Sequence, residues 1–320
     1  MEQKRSLELF RLRSSGAAIA DGYRLYVSNF RNIFRATWLV AVVYAVVLTI
    51  TAWYASTHVM PVWLTNTFTN GTASLSTPVT IGWCSLLVLS AAAIATLAAQ
   101  GFATLKEHSE TGTIARAPRW FGRFHLPMTA RMLMLTVWLL LITALCCLAG
   151  YLVKRGLAML TPSIHTGSTT DLYIFWAVML VVAFLMGLLL LPISYTMYRH
   201  LFAQKFSARP PLKGYQEGLC HLGRLFVVAL VVAIVTLLLS LIIQLPQIIL
   251  VMANVKAMMG EAYGDAVVLP QSISWVSLAV FAVGCFLQAW LHLSTLFPFY
   301  YVYGSIETER KESQSIKFKH

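Results

Sequence analysis

Residues 209–254 read RPPLKGYQEGLCHLGRLFVVALVVAIVTLLLSLIIQLPQIILVMAN. After Pro210-Pro211, the apolar positions Leu212, Tyr215, Leu219, Leu222 and Phe226 recur at helical spacing. Lys213, Gln216, Glu217 and Arg224 turn elsewhere, which predicts an amphipathic helix at a membrane interface. From Leu225 to Ala253, 29 residues pass without an Asp, Glu, Lys or Arg. As a helix this run is about 44 Å long, more than a hydrocarbon core of about 30 Å requires, so it reads as a tilted transmembrane span. The unit is a basic interfacial segment feeding a long span, and the rest of the chain looks built on the same plan.

The totals agree. Hydrophobic residues make up 58% of the 320, charged residues only 11%, and mean hydropathy is +0.71, which excludes an ordinary soluble core. A net charge of +12 would point to nucleic acid in a soluble chain, so the placement of the basic residues decides. Of 24 Lys and Arg, only Lys154, Arg155 and Lys256 fall in connections on one side of the membrane; the other 21 fall on the opposite side. That is the positive-inside pattern, with no nucleic-acid patch, and it places both termini in the cytoplasm of a bacterium with the chain in its inner membrane. The five cysteines lie in or beside apolar runs with no Cys-x-x-Cys spacing, and read as small buried hydrophobes. The first 35 residues hold seven basic residues and no signal-peptide core, so the first span is expected to act as an uncleaved anchor.

Residues 1–35 are expected to form a cytoplasmic segment with its own amphipathic helix. Ile19, Tyr23, Tyr26, Val27, Phe30, Ile33 and Phe34 make one face, Arg24, Ser28, Arg31 and Arg35 the other. Two readings stay open: a helix lying against anionic headgroups, or one packed on the end of the bundle. Between Arg35 and Lys106, 70 residues carry no Asp, Glu, Lys or Arg, enough for two spans and a polar loop that includes an Asn70-Gly71-Thr72 sequon. The six spans are expected at about 36–56, 79–105, 129–152, 172–198, 225–253 and 272–303 of a transmembrane domain covering 36–306, with a loose charged tail at 307–320. Ala91, Ala95 and Ala99 mark the second span as a close-packing helix. The loop before the third span interleaves Arg119 and Arg123 with Trp120, Phe121 and Phe124, a headgroup-contact pattern.

Segments of the chain resemble one another. Leu191-Pro192-Ile193-Ser194-Tyr195 matches Phe297-Pro298-Phe299-Tyr300-Tyr301 near the ends of the fourth and sixth spans, and Gly22-Tyr23 with its following Phe-Arg segment matches Gly214-Tyr215. Three parallel hairpins follow, each introduced by an interfacial segment. The fold class is therefore all-α, a polytopic membrane protein of six transmembrane helices in three hairpins with cytoplasmic amphipathic helices. The tyrosines Tyr195, Tyr198, Tyr300, Tyr301 and Tyr303 are expected to form an interfacial belt.

No Asp, Glu, Lys or Arg sits in the middle of a span, which argues against carboxylate-driven transport. What remains is Gln244, Gln247, Gln288 and His292, with Pro246 expected to kink or open the fifth span between the two glutamines. Gln288 and His292 are four apart, hence on one face, and are expected to meet Gln244 and Gln247 across a cavity or to bond a neighbouring helix. Neither catalytic motifs, paired carboxylates in one span nor metal-ligand spacing are present, and Asp171, Glu261 and Asp265 read as solvated outer-edge acids. No cofactor is expected.

With a basic aromatic segment before odd spans and proline-tyrosine ends on even ones, the chain resembles poorly characterised six-span bacterial inner-membrane proteins. Some of that kind carry a carotene-oxygenase label, which implies an iron site of several histidines. Here only His292 lies within a span, with His200 at a boundary, so the label is rejected. The expected function is a non-enzymatic regulator or assembly partner. Its basic interfacial helices (Arg24, Arg31, Arg35, Arg119, Arg123) would contact anionic lipid or a membrane or cytoplasmic protein. The alternative is a transporter or lipid-handling permease using the Gln244, Pro246, Gln247, Gln288 and His292 group.

Overall fold

A single unbroken helix, Ser15–Tyr54, opens the structure, a computed structural model that describes residues 8–60, 62–63, 76–114, 125–160, 169–203, 214–262, 270 and 272–317. This helix, α1, is capped by the Ser14 hydroxyl, which accepts from the Ala17 amide at 3.3 Å, and it ends in a π-turn at Ala55–Val59. It is followed by α2 (Thr77–Thr111), α3 (Leu126–Leu160), α4 (Thr169–Phe202), the short α5 (Tyr215–Cys220), α6 (Leu222–Ala262) and α7 (Ser272–Lys317). The structure is 93% helical with no strands among the described residues, and six of the helices are long and apolar enough to cross a membrane. The chain is thus a multi-pass membrane protein by length and composition. The Asn70 sequon and Asp265 lie outside the described residues.

The N-terminal segment and the first span run on as one helix, with no proline between Ser15 and Tyr54 and with Gly22 used for contact. Two expectations are corrected by the packing. The charged tail does not loosen at Glu307; α7 carries it as helix to Lys317. The five tyrosines do not face headgroups: Tyr195, Tyr198, Tyr300, Tyr301 and Tyr303 are all buried, four of them nearly completely, in the largest core cluster. Tyr198 stacks on Tyr303 at 5.7 Å and meets Phe102 edge-on at 4.8 Å. The Tyr300 hydroxyl sits 2.9 Å from His108 Nδ1 on α2, and Tyr198 donates to the Leu296 carbonyl.

These corrections share one cause. At 1.5 Å per residue, α1 is about 60 Å long and α7 about 69 Å, roughly twice the thickness of a hydrocarbon core. Their surplus lengths project at the end of the bundle where Lys and Arg concentrate, called here the basic end, and pack on each other. The α1–α7 contact is the most extensive in the molecule, and α7 also touches α2, α4 and α6. At the other end, α3 and α6 leave most of their apolar surface open.

Glycine–proline contacts seat the helices twice over. Gly22 of α1 lies so close to α7 that an added Cβ would come within 2.6 Å of Pro298 Cα and N. Gly218 of α5 faces Pro192 of α4 in the same way, at 2.9 Å from its carbonyl oxygen. The two prolines are those of the repeated sequence segments. Of the expected close-packing stripe on α2, Ala95 and Ala99 are fully buried and Ala91 is half-buried, while Gly101 faces Leu293 and Leu296 of α7.

Candidate functional site

Charge at the basic end is first spent internally. Arg13, its side chain 3% exposed, pairs through Nε with Asp21 at 2.9 Å, and its guanidinium lies 4.5 Å over the Tyr301 ring. Its backbone N–H donates to Ser305 Oγ at 3.0 Å, tying the first described residues to the last helix. The same hydroxyl accepts from Arg224 Nη2 at 2.7 Å, while Arg224 Nη1 donates to Glu309 at 2.7 Å. His221 Nε2, in the break between α5 and α6, lies 2.9 Å from the other Glu309 oxygen. Glu217 of α5 pairs with Arg199 of α4 at 3.1 Å, and Arg310 pairs with Glu307 at 2.9 Å, whose second oxygen accepts from Tyr195. Four arginines thus meet four carboxylates, and the network is close to neutral.

The net charge of +12 must therefore be presented elsewhere. Arg24 and Arg31, seven residues apart on α1 and so on one stripe, are exposed, and Arg35 is half-buried. Between them Val27, Phe30 and Phe34 are exposed at 71%, 40% and 37%, giving a surface on which basic and apolar side chains alternate. Arg119 and Arg123 lie outside the described residues. Of the two readings of the N-terminal helix, its buried face of Ala18, Gly22, Leu25, Tyr26 and Ile33 matches packing on the bundle, and its open face carries the arginines.

The polar residues within the spans come together between α6 and α7. Gln288 donates to Ser240 Oγ at 2.7 Å, Gln244 reaches the same oxygen at 3.5 Å, and Gln288 Nε2 lies 3.3 Å from His292 Nε2. Tyr44 of α1 meets the His292 ring at 6.3 Å. The Gln247 amide presses against Gly284, where any Cβ would overlap it. The helices meet directly through these contacts, and Pro246 is exposed, away from the group, inside an α6 that continues as one helix. Two atoms in this group, Gln247 Nε2 and Gln288 Oε1, are buried without a hydrogen-bond partner.

Sequence reading missed a third feature, a cleft of about 350 Å³ between the last turns of α2 and the first of α3, at the basic end. Among the described residues its polar lining is Lys106, Glu107, Glu110, His125 and Arg131; Ala103, Pro127 and Met128 form the apolar part. The i, i+1, i+4 spacing of Lys106, Glu107 and Glu110 was visible in the sequence, but their meeting with Arg131 depends on how α2 and α3 pack.

Among the described residues, no three His, Cys, Asp or Glu side chains converge as metal ligands would. Comparison of the chain with known protein families, with curated proteins and with solved structures finds no match.

Proposed function

We propose that the chain is a non-enzymatic module of a bacterial inner membrane, a regulator or assembly partner that works through the basic face of α1. In this reading the six spans form three hairpins, both termini face the cytoplasm, and the α1 stripe contacts anionic headgroups or a protein partner there. One observation carries it: Arg13, Arg199, Arg224 and Arg310 inside the basic end are matched by carboxylates, whereas Arg24 and Arg31 stand exposed among Val27, Phe30 and Phe34. Exposed aromatics beside arginines suit the headgroup layer, where each basic residue contributes about 1 kcal/mol toward an anionic surface.

The triple variant Arg24→Gln, Arg31→Gln, Arg35→Gln is expected to fold, since these side chains serve no internal pair among the described residues. Its retention of anionic lipid or of a co-purifying partner should fall by about fivefold or more, the effect of losing one to three such contributions. The check is mass spectrometry of material purified in mild detergent at ordinary ionic strength. Unchanged lipid and partner retention would remove this reading.

A second reading, a permease for small polar solutes, is favoured by the two orphaned amide atoms of Gln247 and Gln288 within the spans. With no charged side chain at mid-span, the solute would be neutral. Vesicle swelling in glycerol and urea tests it. Under this reading the reconstituted protein accelerates swelling and Gln247→Ala or Gln288→Ala abolishes the gain; rates equal to those of empty vesicles end it.

A further inference from the structure

A single residue, His221, joins α5 to α6. Its amide closes α5 by bonding to the Gly218 carbonyl at 3.2 Å, and its own carbonyl opens α6 by accepting from Leu225 at 3.0 Å. We propose that the imidazole at this joint is a proton-operated latch, holding the α4–α5 unit to the C-terminal turns of α7 while doubly protonated and releasing it on losing a proton. The inference goes beyond the reading of α1, since it uses other residues and concerns regulation.

The hydrogen-bond inventory of the ring supplies the first argument. Nδ1 lies 2.8 Å from the Glu217 carbonyl oxygen, and Nε2 lies 2.9 Å from a Glu309 carboxylate oxygen. Arg224 Nη1 donates to the other Glu309 oxygen at 2.7 Å, so Glu309 serves as a carboxylate. Both partners of the ring are therefore acceptors, and a neutral imidazole has only one N–H to give. The imidazolium alone satisfies both. After deprotonation, the tautomer that keeps the Glu217 bond sets a lone pair against Glu309, and the other sets one against the Glu217 carbonyl that caps α5.

The surrounding charges supply the second. Among the described residues they are Arg199 on α4, Glu217 on α5, Arg224 on α6, and Glu307, Glu309 and Arg310 on α7. Arg199 and Arg310 address the Glu217 carboxylate at 3.1 and 3.9 Å, and Arg310 also pairs with Glu307 at 2.9 Å. Glu309 is thus the acid shared by His221 and Arg224.

The seating of α5 supplies the third. Gly218 lies against Pro192, the Tyr215 hydroxyl donates to the Leu189 carbonyl at 3.1 Å, and Glu217 pairs with Arg199, all on α4. Toward α7 the short helix and its joint have the His221–Glu309 contact and the long Arg310–Glu217 pair. Loss of the histidine contact therefore parts α7 from the α4–α5 unit and leaves α5 seated on α4. The closed form holds the extra proton, so the contact is present on the acid side and lost as pH rises through the range in which histidine discharges.

The test is hydrogen exchange of the full chain in mild detergent at about pH 5.5 and about pH 8, either side of that range, with rates referenced to unstructured peptides. Protection of residues 306–317 should fall about fivefold at the higher pH, the effect of one partly exposed charge pair. His221→Gln cannot titrate and should show equal protection at both. Glu309→Gln, whose amide can donate to a neutral Nε2, should flatten or invert the response; gel filtration confirms that each variant is folded. Equal protection of the parent at the two pH values, or a fall that persists in either variant, overturns the proposal.

Discussion

Gly22→Ala should lower the unfolding midpoint of the detergent-solubilised protein by about 5 °C or prevent its recovery as a monodisperse species. The added Cβ would sit 2.6 Å from Pro298 Cα and N and 2.8 Å from the Phe297 carbonyl carbon. All three are backbone atoms of α7, so no side chain can swing aside and one of the two longest helices has to move. Overpacking of this kind costs about 1–3 kcal/mol and sometimes more. Opposing it, alanine is better than glycine in a helix by about 1 kcal/mol. The clash wins because the α1–α7 contact it opens is the most extensive in the molecule. Gly187→Ala in α4 provides the opposite case: among the described residues, nothing outside its own helix backbone lies within 4 Å of its Cβ position, so only the helix term acts and stability should stay level or rise. Thermal unfolding followed by size-exclusion chromatography reads both. A Gly22→Ala protein as stable as the parent would show that α1 and α7 do not meet as described.

Arg13→Ala should cost about 3 kcal/mol, the low end of the range for removing one partner of a buried ion pair. Asp21, one-fifth exposed, would lose its partner at 2.9 Å, and the Tyr301 ring would lose the guanidinium above it. The Arg13 backbone bond to Ser305 depends on the side chain only indirectly, so the expected sequel is fraying of residues 8–14 from Gly304 and Ser305. Limited proteolysis should therefore cut near the N-terminus first. Arg13→Ala combined with Asp21→Asn should recover part of the loss, since no charge is then stranded. Equal losses in the single and double variants would show that the pair contributes nothing.

The spans could be read from the sequence because apolarity over about 20 residues is a local property, visible without knowing any partner. Leu225–Ala253 falls inside α6, and the charge-free stretch after Arg35 holds the apolar half of α1 and most of α2. The two ends of the projecting helices could not be read so. Glu307, Glu309 and Arg310 look like a solvated tail until Tyr195, Arg224 and Glu217 are known to face them, and those partners lie about 80 or more residues away. The tyrosines failed for a related reason. A tyrosine at the end of a span suits the headgroup layer and a hydrogen-bonded interior equally well, and only the crossing of α2, α4 and α7 decides between them. Gln288 and His292 were legible as one face of one helix, whereas their tie to Ser240 required α6 beside α7.

The join between Arg13 and Ser305 has a consequence for synthesis. The two residues are 292 positions apart, so at about 5–20 residues per second the earliest part of the chain waits roughly 15–60 s for its partner to be made. Throughout that interval the glycine notch of α1 and the buried Arg13–Asp21 pair stand uncovered at the membrane surface. A ribosome that stalls before Pro298 would release a nascent chain bearing an open socket, and the arrival of α7 is what closes it.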